Sequence, residues 1–352
     1  MAAPGSQKGD SSSSSEPSRR VTIGILALQG AFAEHSSVLS KLGADVREVR
    51  LPHEFDGLDG IVLPGGESTA MALIGERWGV FPRLKQWVSE GRPVWGTCAG
   101  MILLSDNALM QKEGGQSLVG GLNVEVCRNY FGAQTSSFEG PLDTSVLEAG
   151  SDGEKVGEAI NKNPYPAVFI RAPAVLEVGP DVDVLCKVRA RPCDKAVTVM
   201  QAMLQKAGDH DGDKGGEGEE TGEGGGGDGN EARAKRRRLA GFFVKSGSSA
   251  EAAAAKRREG EKSGEGVGAG DHSGGGGGSS SSSSSSASEA PEVIVAIRKG
   301  NIVGTAFHPE LTDDSRWHEY FVRIVKEAVD ASGKGDRKGK DEAPSTASTA
   351  VA

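Results

Sequence analysis

A chain of 352 residues with 52 glycines and a net charge of −9 holds less foldable sequence than its length suggests, because much of the glycine and serine lies in tracts without apolar content. The charge is split between an acidic glycine tract over residues 209–228 and a basic run, Lys235-Arg236-Arg237-Arg238. Neither is the basic face of a nucleic-acid-binding domain, and no apolar run reaches the length of a membrane span. The four cysteines, Cys98, Cys127, Cys186 and Cys193, lack the spacing of a zinc site or a disulfide framework, which points to a reducing, cytoplasmic setting without a metal.

Residues 1–20 are rich in serine and include Arg19 and Arg20, but Asp10 and Glu16 break the pattern of a transit peptide, so they read as a tail. Residues 21–28 are almost wholly apolar, as in a strand buried on both faces of a parallel sheet. After Gln29-Gly30, the spacing of Phe32, Val38, Leu39 and Leu42 predicts a helix closed by Gly43. Residues 45–49 and 60–63 read as the next strands, the latter ending at Pro64-Gly65-Gly66. A short apolar run at Val94-Trp95 leads into Gly96-Thr97-Cys98-Ala99-Gly100 and then into a helix through Met101, Ile102, Leu103 and Leu104. That order is the context of a nucleophile elbow, in which a tight turn between strand and helix lifts one reactive side chain above the sheet. The helix dipole there favours thiolate over thiol.

Further strands are expected at residues 120–126, 167–170, 182–187, 292–298 and 302–306, the last two joined by the turn Lys299-Gly300-Asn301. Trp317, Tyr320, Phe321 and Ile324 then mark an amphipathic C-terminal helix, with His318 read as a residue of its surface. Alternation of this kind predicts an α/β fold, a doubly wound, mixed but mostly parallel sheet flanked by helices. Such sheets bind ligands beyond the carboxyl ends of their strands, where Gly65-Gly66 and Cys98 would share one rim.

The expected organisation is one domain over residues 21–332. A polar loop at 142–163 and a low-complexity, disordered insertion at 189–290 interrupt it, and disordered tails flank it at 1–20 and 333–352. The insertion includes a short helical pattern near 197–206, and its Lys235–Arg238 run reads as solvated charge before it reads as an import signal. Closing so long a loop is tolerable because its entropic cost grows only logarithmically with length.

Cys98 and the distant His308-Pro309-Glu310 supply a thiol, a base and a carboxylate to orient that base. This is the general recipe for covalent acyl transfer. Paired glycines at 65 and 66, with the amide of Ala99 just past the nucleophile, suit an oxyanion hole. Five blocks occur in order: Ile25-Leu26-Ala27-Leu28-Gln29-Gly30-Ala31-Phe32, Pro64-Gly65-Gly66-Glu67-Ser68-Thr69, Gly96-Thr97-Cys98-Ala99-Gly100, Phe169-Ile170-Arg171-Ala172-Pro173 and Thr305-Ala306-Phe307-His308-Pro309-Glu310-Leu311. Together they resemble the glutaminase subunits of pyridoxal 5′-phosphate synthase, within the class I (triad) glutamine amidotransferases.

The resemblance implies hydrolysis of L-glutamine to L-glutamate and ammonia with no cofactor. Cys98 would be the nucleophile, His308 the acid–base and Glu310 its orienting partner. Gly66 and Ala99 would form the oxyanion hole, and Gly65, Gly66, Glu67, Arg128, Ile170 and Arg171 would contact glutamine. It further implies a (β/α)8-barrel synthase subunit as recipient of the ammonia, docking near Gln29-Gly30 and the helix that carries His35 and switching the glutaminase on. One departure stands out: where the family continues its Arg-Asn motif with aromatic, Gly, Arg, Gln, this chain has Tyr130-Phe131-Gly132-Ala133-Gln134. Altered loop contacts are expected at Ala133, with the chemistry retained. Competing readings keep the triad but change the partner, as in an imidazole glycerol phosphate synthase, or make the chain a silent interaction scaffold.

Overall fold

The computed structural model describes residues 19–111, 114–147, 163–209 and 290–338. Strand β1 (Thr22–Leu26) is buried at all five positions, as its unbroken apolar run requires. It pairs in parallel with β2 (Asp45–Val49) and β3 (Gly60–Leu63). Among the described residues the main sheet has ten strands, adding β4 (Val94–Thr97), β5 (Asn107–Leu109), β6 (Val124–Cys127), β9 (Ala174–Val178), β10 (Asp183–Arg189), β11 (Glu292–Lys299) and β12 (Ile302–Thr305). Their order is β2-β1-β3-β4-β12-β11-β9-β6-β5, with β10 paired to β11. From β2 to β12 every pairing is parallel, whereas β11 runs antiparallel to β12, β10 and β9. The mixed, largely parallel α/β architecture read from the sequence is the one observed.

Helix α1 (Phe32–Lys41) packs against α6 (Arg316–Lys338), and α2 (Ser68–Arg77) packs against α3 (Val80–Ser89) and the short α4 (Ala99–Leu104). Between helices and sheet lie the largest fully buried side chains, including Trp87, Trp95, Trp317, Phe81 and Phe321. No helix among the described residues is long and apolar enough to cross a membrane.

Several expectations need correction. The strand expected at 167–170 is β8 (Tyr165–Phe169), and it pairs antiparallel with β7 (Phe138–Leu142) in a separate two-stranded sheet. The main sheet takes β9 in its place, buried at Ala174 and Val175 and partly buried beyond, with no alternation to announce it. The boundary expected at 189 also fell early. Helix α5 (Asp194–Asp209) follows β10, and its Ala196 and Met200 are fully buried in the core. The helical pattern read at 197–206 lies within α5; what the neighbouring glycine-rich composition concealed is that this helix packs into the core. The remainder expected as insertion, residues 210–289 with the Lys235–Arg238 run, lies outside the described residues, as do most of the polar loop (148–162) and most of both tails.

Candidate active site

Register builds the site. Gly96 of β4 pairs with Leu63 of β3 on one side and Gly304 of β12 on the other, so all three strands end at the same edge. The Cys98 amide donates to Thr305 O at 2.7 Å, extending the β4–β12 ladder into the turn. Cys98 itself has φ 46° and ψ −100°, the strained conformation of an elbow residue between β4 and α4. Close approach demands glycine around it: a Cβ on Gly100 would stand 2.0 Å from Leu63 O.

The chain beyond β12 carries His308 to the same place, anchored by its amide on Val168 O at 2.9 Å. His308 Nδ1 lies 2.8 Å from Glu310 Oε1. Burial alone would lower the imidazole's pKa, but hydrogen bonds and charge from Cys98 and Glu310 carry it up to about 10. Burial pushes Glu310 the other way, yet the imidazoles at 35 and 308 hold its carboxyl below the usual range. The arrangement therefore favours a cationic imidazole facing sulfur, with an ionised carboxylate behind it.

A cavity of about 180 Å³ opens onto Cys98 and is lined also by Gly66, Glu67, Ala99, Arg128, Ile170, Arg171 and His308. Every residue expected at the site falls on it except Gly65, which sits behind the imidazole, and Glu310, which is buried beneath it. Gly65 O accepts from the Ala31 amide at 3.0 Å, and the Glu67 amide donates to Gln29 Oε1 at 2.7 Å, so the loop after β1 grips the loop after β3. The Glu67 carboxylate caps α2 by accepting from the amides of Thr69 and Ala70, and pairs with Arg128 Nη2 at 3.4 Å. Arg128 is buried but its Nε has no partner. A guanidinium held this way at a cavity wall is suited to a carboxylate ligand.

The sequence reading passed over Ser68, Ile102, Asn129 and Gln134, which complete the lining. Asn129 and Gln134 bracket the departure from the family pattern, and that position was their signal. Ala133 is exposed and leads into a single 3-10 turn, Gln134–Ser136. One histidine was misplaced: His318, read as a surface residue, is fully buried, and His35 on the helix expected near the partner is fully buried as well, so neither ring is available at the surface. The signal for His318 was its own spacing, since it starts a series with Phe321, Val322 and Val325, all buried.

The chain belongs to the SNO glutamine amidotransferase family, which matches residues 25–208 and 279–327. A solved structure titled as a glutamine amidotransferase superposes with a TM-score of 0.50 at 25% identity, covering 86% of this chain and 98% of that one. Among individual relatives, the "Probable pyridoxal 5'-phosphate synthase subunit PDX2" of Arabidopsis thaliana is 34% identical over 90% of this chain and 91% of its own length. The pyridoxal 5′-phosphate synthase subunit PdxT of Deinococcus radiodurans is 45% identical over 46% of this chain and 76% of its own length.

Proposed function

We propose that this chain is the glutamine-hydrolysing subunit of a pyridoxal 5′-phosphate synthase, working in the cytoplasm with a separate (β/α)8-barrel synthase subunit. The observation that carries the reading is the meeting of a strained elbow cysteine, a carboxylate-backed imidazole and a half-satisfied buried arginine at one cavity.

In the proposed cycle Arg128, steadied by Glu67, engages the substrate α-carboxylate, with Ile170 and Arg171 lining the same cavity. Cys98 Sγ attacks the side-chain amide carbon, and the amides of Gly66 and Ala99 receive the negative charge that develops on oxygen. As the tetrahedral intermediate collapses, the carbon–nitrogen bond breaks and His308 delivers the proton that lets ammonia leave. A water molecule, losing its proton to His308, then attacks the thioester carbonyl. Glutamate departs, and the thiol is restored. Glu310 keeps the imidazole in the required tautomer and stabilises its cation throughout.

Coupling to the synthase subunit has a physical route. Gln29 and Ala31 hold the Gly65–Glu67 backbone directly, so a partner that shifts this partly exposed loop also shifts the Gly66 oxyanion donor. The test is glutamine hydrolysis measured with and without a synthase subunit, together with trapping by a chloroketone analogue of glutamine. Strong activation by the partner and labelling at Cys98 are expected. Undiminished turnover in Cys98→Ala, or a rate indifferent to the synthase, would overturn the corresponding half of the proposal.

A further inference from the structure

Behind the triad lies a polar chain that the proposed cycle does not use. The Glu310 carboxylate is buried; Oε1 meets His308, while Oε2 has no hydrogen-bond partner and faces His35 Nε2 at 3.3 Å. The same His35 nitrogen lies 3.2 Å from Thr97 Oγ1, one residue before the nucleophile. On the other side of the ring, His35 Nδ1 lies 3.0 Å from His318 Nε2. Four elements thus meet at one imidazole: α1 supplies His35, α6 supplies His318, β4 supplies Thr97 and the turn after β12 supplies Glu310. Trp95 packs edge-on against both histidine rings.

The tautomers follow from the partners. Burial lowers the pKa of both rings, that of His318 to about 2, so both are neutral. His318 Nδ1 has no partner. A buried N–H without an acceptor is rarer and costlier than a bare acceptor, so the His318 proton sits on Nε2 and is donated to His35 Nδ1. The His35 proton must then sit on Nε2, between Thr97 and Glu310. Because His35 is neutral, what it offers Glu310 is an N–H dipole and not a full charge. The charged groups around it are Glu310 and His308 from the β12 loop and Glu34 from its own helix.

We propose that His35 is a positioning residue for the triad: its Nε2–H, hydrogen-bonded to Thr97 Oγ1, stands 3.3 Å from the Oε2 oxygen of Glu310 and favours the ionised carboxylate by its dipole, and His318 fixes which ring nitrogen carries that proton. A buried carboxylate with one oxygen unpaired would otherwise rotate or take up a proton, and either change releases His308.

The inference rests on the triad assignment, and the experiment separates the two. Using the chain with its synthase subunit, His35→Phe keeps an aromatic ring against Trp95 but removes the donor, whereas His35→Gln restores one. His35→Phe is expected to lower kcat about tenfold, the lower end of the range for a lost polar contact to a charged group. The KM for glutamine stays unchanged, and the acidic limb of the kcat/KM profile moves to higher pH. His35→Gln recovers most of kcat. His318→Leu gives a smaller loss with the same direction of shift, and it serves if His35→Phe does not fold. Wild-type kcat and acidic limb in the variants would overturn the inference. So would equal losses in His35→Phe and His35→Gln that follow melting temperature alone. Full turnover in Cys98→Ala, by contrast, would remove the triad itself.

Discussion

Gly65 tests the geometry of the site with a single methyl group. Its φ lies outside the left-handed region, so alanine meets no backbone strain, and the consequence is confined to what the new Cβ touches. That atom would stand 2.3 Å from His308 Cε1 and 2.7 Å from Nδ1. Ordinary contact begins at 3.4 Å, so the imidazole must yield by about 1.1 Å, the difference between those distances. The ring cannot retreat freely, because Glu310 holds its Nδ1 and Val168 holds its backbone. A misplacement of about 1 Å in a reacting group costs on the order of a hundredfold in rate. The packing strain costs about 1–3 kcal/mol of stability.

Steady-state glutaminase kinetics in the presence of the synthase subunit, with a melting curve alongside, should show kcat falling about a hundredfold while KM changes far less. Gly140→Ala is the matched control, since a Cβ there meets nothing closer than 3.4 Å. A Gly65→Ala enzyme with wild-type kcat and a wild-type melting temperature would refute the placement of His308 against this loop.

Other outcomes follow from the same contacts. Glu310→Gln should lower kcat by about a hundredfold or more, measured as glutamate release, because the imidazole loses the carboxylate that orients it and stabilises its cation. His308 has its pKa raised from 6.5 to about 10, so its contribution to stability is fully present below pH 6.5 and is lost as pH rises through about 10. Thermal denaturation across that window should therefore show a steeper alkaline loss for the wild type than for His308→Gln. Arg128→Lys should raise the KM for glutamine about tenfold to a hundredfold, since an ammonium cannot reproduce the bidentate fork. Met200→Ala should cost about 2–4 kcal/mol in denaturant unfolding. A neutral result would place α5 outside the cooperative core.

The parallel half of the fold was legible because its strands are uninterrupted apolar runs, and β1, β3 and the Cys98 elbow could be read from residue type alone. The antiparallel half was not. Strand β9 is only half buried, and β8 is apolar for the sake of a small second sheet, which local pattern cannot distinguish from membership of the main one. For the site, the glycine-flanked cysteine and the His-Pro-Glu segment were visible because their chemistry demands those residue types. Arg128, Ile170 and Arg171 carried no such signal by themselves and were reached through resemblance. The buried histidines escaped for a physical reason. Polarity placed His318 outside, whereas its partner His35, and the Glu310 and Thr97 that meet His35, lie far away in sequence and make burial of both rings tolerable.

The common edge of β3, β4 and β12 has a consequence for how such an enzyme changes over time. Cys98, Gly66 and His308 each follow within about three residues of the last rung of one ladder, and a slip of a single residue would turn every side chain of the strand to its opposite face. The hydrolytic parts therefore cannot drift by small adjustments; they persist with the ladder or vanish with it. The gripping loop at Gln29–Ala31 and the turn at Ala133 lie off that ladder, and there adaptation to a new partner can proceed one substitution at a time without disturbing the bond-breaking apparatus.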